Sequence, residues 1–102
     1  MYDAGIKAKD LKETIKRIYN VTAEDIEQEQ ARNLFVVTIK GKRYLISYTT
    51  IIGVELTKWY FTTERYSSTT SRQLASFKKG LARHEYIDVS PVEFQTLASP
   101  AT

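Results

Sequence analysis

Leu34-Phe-Val-Val-Thr-Ile-Lys40-Gly41-Lys42-Arg43-Tyr-Leu-Ile-Ser-Tyr-Thr49 decides how this chain folds. Two runs rich in β-branched and aromatic residues flank a glycine, the pattern of a β-hairpin. With Gly41 at the first central position, a two-residue type II′ turn over Gly41-Lys42 is expected. That turn joins strands 34–40 and 43–49 and sets Lys40 opposite Arg43, Ile39 opposite Tyr44, Val37 opposite Ile46 and Phe35 opposite Tyr48. Alternation then puts Phe35, Val37, Ile39, Tyr44, Ile46 and Tyr48 on one face. Leu34, Val36, Thr38, Lys40, Arg43, Leu45, Ser47 and Thr49 fall on the other.

Outward from the hairpin, Ala8, Leu11, Ile15 and Ile18 form an apolar stripe at helical spacing, predicting a helix over 8–19. Thr22 and Asp25 stand at capping-box spacing, and two readings of 22–30 compete. A short helical turn at 22–25 leading into a charged edge strand is preferred over a second full helix. The preference rests on Ile26 being the one apolar residue in Ile26–Gln30. Gly53 punctuates the end of the second hairpin strand, and Thr57–Thr63 reads as a third strand with Trp59 and Phe61 on one face.

A helix over 70–83 follows, with Leu74, Phe77 and Leu81 toward the sheet and Arg72, Lys79 and Arg83 opposite. Tyr86–Val89 reads as a short strand. Ser90-Pro91-Val92-Glu93 combines a serine cap, proline at the first helical position and glutamate three residues on, predicting a helix over 91–97. The expected fold is α+β: an antiparallel sheet of three to four strands with helices on one face. One domain spans 1–102, with loose ends at 1–5 and 98–102.

Composition narrows the chemistry. The 102 residues contain no cysteine and one histidine, His84, which excludes thiol catalysis, Cys-ligated zinc and His-His metal pairs within the chain. No phosphate-binding glycine motif occurs, no cofactor is implied, and His84 reads as a residue at a helix C-terminus. No apolar run reaches the ~20 residues of a membrane-spanning helix, and no secretory signal is evident, so a cytoplasmic location and no membrane partner are expected. The formal charge of +3 conceals an acidic block (Glu24, Asp25, Glu27, Glu29) set against basic ones. Separate blocks of opposite sign suit charge-complementary docking more than catalysis.

The tract from Thr62 to Arg72 carries seven Ser or Thr hydroxyls in eleven residues and feeds a helix N-terminus. Helix caps account for one or two of them. The surplus, with Arg65 and Arg72, makes Ser67, Ser68, Thr69, Thr70 and Ser71 candidate contacts for a phosphate or carboxylate. Lys40, Arg43, Lys79 and Arg83 extend that candidate surface. Tyr44, Tyr48, Trp59, Tyr60 and Phe61 are either core or a platform for stacking bases.

Tyr44-Leu45-Ile46-Ser47-Tyr48-Thr49-Thr50-Ile51-Ile52-Gly53 and Tyr66-Ser67-Ser68-Thr69-Thr70-Ser71-Arg72-Gln73 resemble motifs of small uncharacterised phage and mobile-element proteins. Those proteins carry an I-S-Y-x-T-x-I strand and a Y-S-x-T-T-S-[KR]-H helix start, and the likeness runs roughly from Leu34 to Phe77. Gln73 stands where that pattern has histidine, which argues against a shared catalytic role for the position. The resemblance implies a phage or plasmid origin. Small proteins of that origin often inhibit host machinery, including CRISPR defence and restriction, or bind nucleic acid. The expected function is a non-enzymatic binding protein directed at a host protein or nucleoprotein complex. Weak, sequence-tolerant nucleic-acid binding is the alternative, and a homo-oligomeric accessory protein the third reading.

Overall fold

A computed structural model describes residues 8–28, 33–64 and 67–98. Helix α1 (Ala8–Tyr19) leads through a 3₁₀ turn (Ala23–Asp25) into β1 (Ile26–Gln28). Four strands follow, β2 (Leu34–Ile39), β3 (Lys42–Ser47), β4 (Thr50–Glu55) and β5 (Trp59–Thr62). Helix α2 (Ser68–Lys79), a second 3₁₀ turn (Arg83–Glu85), β6 (Tyr86–Val89) and α3 (Pro91–Ala98) complete the order. The strands form one sheet in sequence order, antiparallel throughout except that β6 runs parallel to β5. A parallel pair needs a crossover, and α2 supplies it. No helix among the described residues is long and apolar enough to cross a membrane.

The α+β class holds, with six strands in place of three to four and a mixed rather than antiparallel sheet. Helices cover both faces, not one. Leu11 and Ile15 of α1 and Phe94 and Ala98 of α3 pack on the face of Phe35, Val37, Ile39, Tyr44, Ile46 and Val54. Leu74 and Phe77 of α2, with Leu81 beyond its end, pack on the opposite face of Leu34, Val36, Leu45, Ile52, Trp59 and Phe61. Both faces of the hairpin are apolar, so each requires cover.

The hairpin turn lies one residue earlier than expected. Lys40 and Gly41 are its central residues, with φ of 52° and 84°, the two positive values of a type I′ turn. Its strands are therefore 34–39 and 42–47, and the pairs are Ile39 with Lys42, Val37 with Tyr44 and Phe35 with Ile46. The two faces survive because moving the turn by one residue slides the pairing register by two, an even number that leaves each side chain on its side. Tyr48 does not stay on the apolar face: it leaves the strand with φ of 58° and is exposed.

Strand β4 is the element that alternation conceals. Leu45 pairs with Gly53 and Ile46 with Ile51, so Ile52 is the extra residue of a β-bulge. Ile52 and Gly53 consequently face the same side, and the two-residue period breaks where the glycine also looks like a stop. Gly53 is required there by close approach: a Cβ would lie 2.8 Å from the Phe61 ring.

The other boundaries move little. Helix α2 spans 68–79 rather than 70–83, ending before Gly80, and α3 runs to Ala98. Ala98 is buried in the core, so the C-terminal end is anchored one residue beyond the expected helix. Residues 1–5 and 99–102 lie outside the described residues. The preferred reading of 22–28 is the observed one, with Thr22 N–H donating to Asp25 Oδ2 at 3.0 Å. Ile18, expected to face the core, is 53% exposed at the rim of a hollow beside the hairpin.

Candidate functional site

The hydroxyl-rich tract divides into residues that point inward and residues left on the surface. Ser67 caps α2 by accepting the Thr70 N–H at 3.2 Å, and its own hydroxyl donates to Thr70 Oγ1 at 3.3 Å. Thr70 is buried and lies 3.1 Å from Ser47 Oγ. Ser47 Oγ donates to Gln73 Oε1 at 3.0 Å, and Gln73 Nε2 donates to Asn33 Oδ1. With Thr70 donating to Ser47, each hydrogen in this chain has one acceptor. Thr62, also buried, accepts the Glu64 N–H at 3.1 Å.

These bonds pin α2 to β3 and to the start of β2 through an otherwise apolar interface. A buried polar group left without a partner costs about 1–3 kcal/mol, so the chain fixes the seating of α2. Ser47 closes β3 and Gln73 lies on the second turn of α2, and the fold brings them into contact. Ser67 and Thr70 are accordingly structural. Ser47, Gln73 and Asn33 were not among the residues selected from sequence. A serine in a strand of buried neighbours, and a glutamine one turn after Thr70 on the same side as Phe77, are the signals that mark them.

Apart from Tyr48, which is exposed, the aromatic candidates form core rather than a stacking platform. Tyr44, Trp59 and Phe61 are buried, and Tyr60 is half-buried. Trp59 and Phe61 stack with ring centroids 5.8 Å apart, and Phe77 of α2 meets both edge-on at 5.2 and 6.0 Å. Once α2 covers that face, no base can reach it. Burial pushes the phenols of Tyr19 and Tyr44 above the ordinary tyrosine value. The Tyr19 hydroxyl donates to the Thr49 carbonyl at 2.6 Å, tying α1 to the β3–β4 turn.

The remaining candidates lie on the surface. Ser68, Thr69, Ser71 and Arg72 are exposed on the first turns of α2, while Arg65 falls outside the described residues. Arg72 and Lys79 sit two turns apart on the outward side of α2, with Ala75 and Ser76 exposed between them. Arg83 lies in the 3₁₀ turn beyond the helix and not on it. Because α2 runs antiparallel to β5, its C-terminal end returns to the edge of the sheet that carries the β2–β3 and β4–β5 turns. The fold thus brings Lys79 and Arg83 to the same end as Lys40, Lys42 and Lys58. Arg72 and the exposed hydroxyls sit at the other end of α2, about 10 Å along the helix from Lys79.

Ion pairing separates the basic residues into two groups. Arg43 donates to Glu55 Oε1 at 3.1 Å, lies 3.9 Å from Glu27 and stacks over Trp59 at 5.9 Å. It braces β1, β3 and β4 rather than waiting for a ligand. Lys78 pairs with Asp88 at 2.7 Å, and Lys16 with Glu13 at 3.0 Å. Among the described residues, Lys40, Lys42, Lys58, Arg72, Lys79 and Arg83 have no ion-pair partner. Helix α2 itself contains no acidic residue.

Two hollows lie among the described residues. One of about 430 Å³ lies between the end of α1 and the hairpin turn, with Ile18, Val21, Ile39, Asp25 and Lys40 on its walls. A second of about 330 Å³ lies beside α3 and includes Ile51, Glu64, Phe94 and Gln95. No group of three or more acidic or histidine side chains that could hold a metal occurs among the described residues. His84 is exposed in the 3₁₀ turn, beyond the helix whose end it was expected to occupy.

Residues 11–92 match the family of unknown function DUF8033. The chain belongs to that family. No curated protein and no solved structure matches it. The DUF8033 match runs from Leu11 of α1 to the first turn of α3 and so takes in the whole sheet and the polar chain under α2.

Proposed function

We propose that this DUF8033 protein is a non-enzymatic binding protein that docks through the outward side of α2 onto an acidic surface of a host protein or nucleoprotein complex. The observation that carries the proposal is the division of the basic residues. Arg43 and Lys78 are paired, whereas Arg72, Lys79 and Arg83 face solvent without acidic partners among the described residues. An acid-free helix with small residues between its cations offers close, unobstructed approach to an anionic partner. The remaining hydroxyls support the same reading, because buried Ser47, Thr62 and Thr70 and the capping Ser67 are committed to internal bonds.

The proposed partner belongs to the cytoplasm of an infected or plasmid-bearing cell, a reading that rests on the resemblance to phage and mobile-element proteins. Host-defence machinery of the CRISPR or restriction type is the partner class that such an origin favours. Capture from host lysate with and without nuclease tests the proposal: a protein retained after nuclease digestion supports it. Binding to purified DNA or RNA alone, falling steeply with salt, would replace it with direct nucleic-acid binding.

A further inference from the structure

One row of side chains crosses the entire sheet on the α1/α3 face: Ile26, Val37, Tyr44, Val54, Tyr60 and Ile87, each paired with the next. The first four are buried, Tyr60 is half-buried and Ile87 on the edge strand β6 is 44% exposed. The apolar row therefore does not end at β6. It runs off the sheet into solvent.

The backbone of β6 continues the pattern. Thr63 N–H donates to the Val89 carbonyl at 2.9 Å, so Val89 and, two residues earlier, Ile87 turn their peptide groups toward β5. Tyr86 and Asp88 turn theirs outward, where no partner exists among the described residues. Two outward residues flanking Ile87 make this edge complementary to itself. In an antiparallel pair of β6 strands, Tyr86 of each copy exchanges two peptide hydrogen bonds with Asp88 of the other. Ile87 then meets Ile87 on the two-fold axis, in a position without backbone bonds where side chains approach most closely.

The charges fit the same arrangement. On the α2 face, Lys78 binds Asp88 and sits 5.4 Å above the Tyr86 ring. Pairing places each Asp88 beside the other copy's Tyr86, so two Lys78 side chains alternate with two Asp88 carboxylates across the seam. The opposite sheet edge has no such match, because a two-fold pairing centred on β1 would set Glu27 against Glu27.

We infer that β6 is a self-association edge and that two copies of this chain join through it, Ile87 against Ile87, into one continuous sheet. The seam is short, so association depends on concentration. It lies apart from the outward side of α2, and its failure leaves the proposed function standing.

Light scattering on the purified chain and on an Ile87→Cys variant tests the inference. The chain lacks cysteine, so any disulfide forms through the introduced residue. Wild type is expected to reach twice its 11.7 kDa mass as concentration rises. Ile87→Lys should remove the dimer completely while keeping the circular dichroism spectrum. Under mild oxidation, Ile87→Cys should give a covalent dimer faster than Val92→Cys, a control at an exposed position on α3. A wild-type monomer up to its solubility limit, a dimer that persists in Ile87→Lys, or equal crosslinking of the two cysteines would overturn the assignment.

Discussion

The Phe61 ring lies directly on Gly53, its neighbour across the β4–β5 pair, with no room for a side chain between them. A Cβ on Gly53 would fall 2.8 Å from Cδ1 and Cε1 of the ring and 3.2 Å from Leu45 Cβ. Phe61 is fully buried and itself touches Trp59, Phe77 and Tyr86, so the ring cannot retreat without disturbing the α2 interface. Gly53→Ala should lower stability by about 1–3 kcal/mol, the usual effect of overpacking. Chemical denaturation measures it, and Phe61→Leu in the same chain should recover part of the loss by clearing the space.

The chain of hydrogen bonds from Ser67 to Asn33 predicts a second pattern. Gln73 accepts from Ser47 and donates to Asn33, and Gln73→Ala strands both at a cost of about 1–3 kcal/mol. Ser47→Ala should cost less in the Gln73→Ala background than alone, giving a coupling of about 0.5–3 kcal/mol in a double-mutant cycle. A neutral histidine also offers one acceptor and one donor. Gln73→His should therefore stay near wild-type stability at neutral pH and lose it as pH falls through about 6.5, when the imidazole becomes a double donor. That outcome would show that the position accepts either glutamine or histidine as a structural link.

Tyrosine burial gives the chain an alkaline limit. The Tyr44 and Tyr19 phenols are raised by burial, so the unfolded chain ionises first as pH climbs. Their contribution is complete below the ordinary tyrosine value of about 10 and is lost progressively as pH rises beyond it, because the unfolded state then binds fewer protons. Tyr44→Phe should flatten the decline in stability above that pH relative to wild type. Thermal melts at matched ionic strength across the alkaline range provide the comparison.

Much of the fold is written in local patterns. The apolar faces of the hairpin, the inward side of α2, the Ser90 cap of α3 and the edge strand after Asp25 all follow from spacing alone. Strand β4 does not, because a bulge at Ile52 breaks the alternation and Gly53 has the appearance of a stop. The turn slipped by one residue because Lys40, a non-glycine residue, adopts a left-handed conformation beside Gly41. For the surface, spacing puts Arg72 and Lys79 on the outward side of α2, but it extends the helix wrongly to Arg83 and enrols Ser67, Thr70 and Arg43 as candidate contacts. Ser67 is occupied by a local cap, whereas only tertiary packing shows that Thr70 and Arg43 are occupied, through partners 23 and 12 residues away. Composition cannot distinguish a hydroxyl that waits for a ligand from one that holds a helix in place.

Affinity capture from host lysate, comparing wild type with Arg72→Glu/Lys79→Glu after nuclease treatment, is the most direct measurement of the α2 docking surface. Both substituted residues are exposed and without ion-pair partners among the described residues, so the fold should be unchanged by circular dichroism and melting. The account predicts a protein partner retained by wild type and lost by the double variant. Equal retention of that partner by both chains would contradict it.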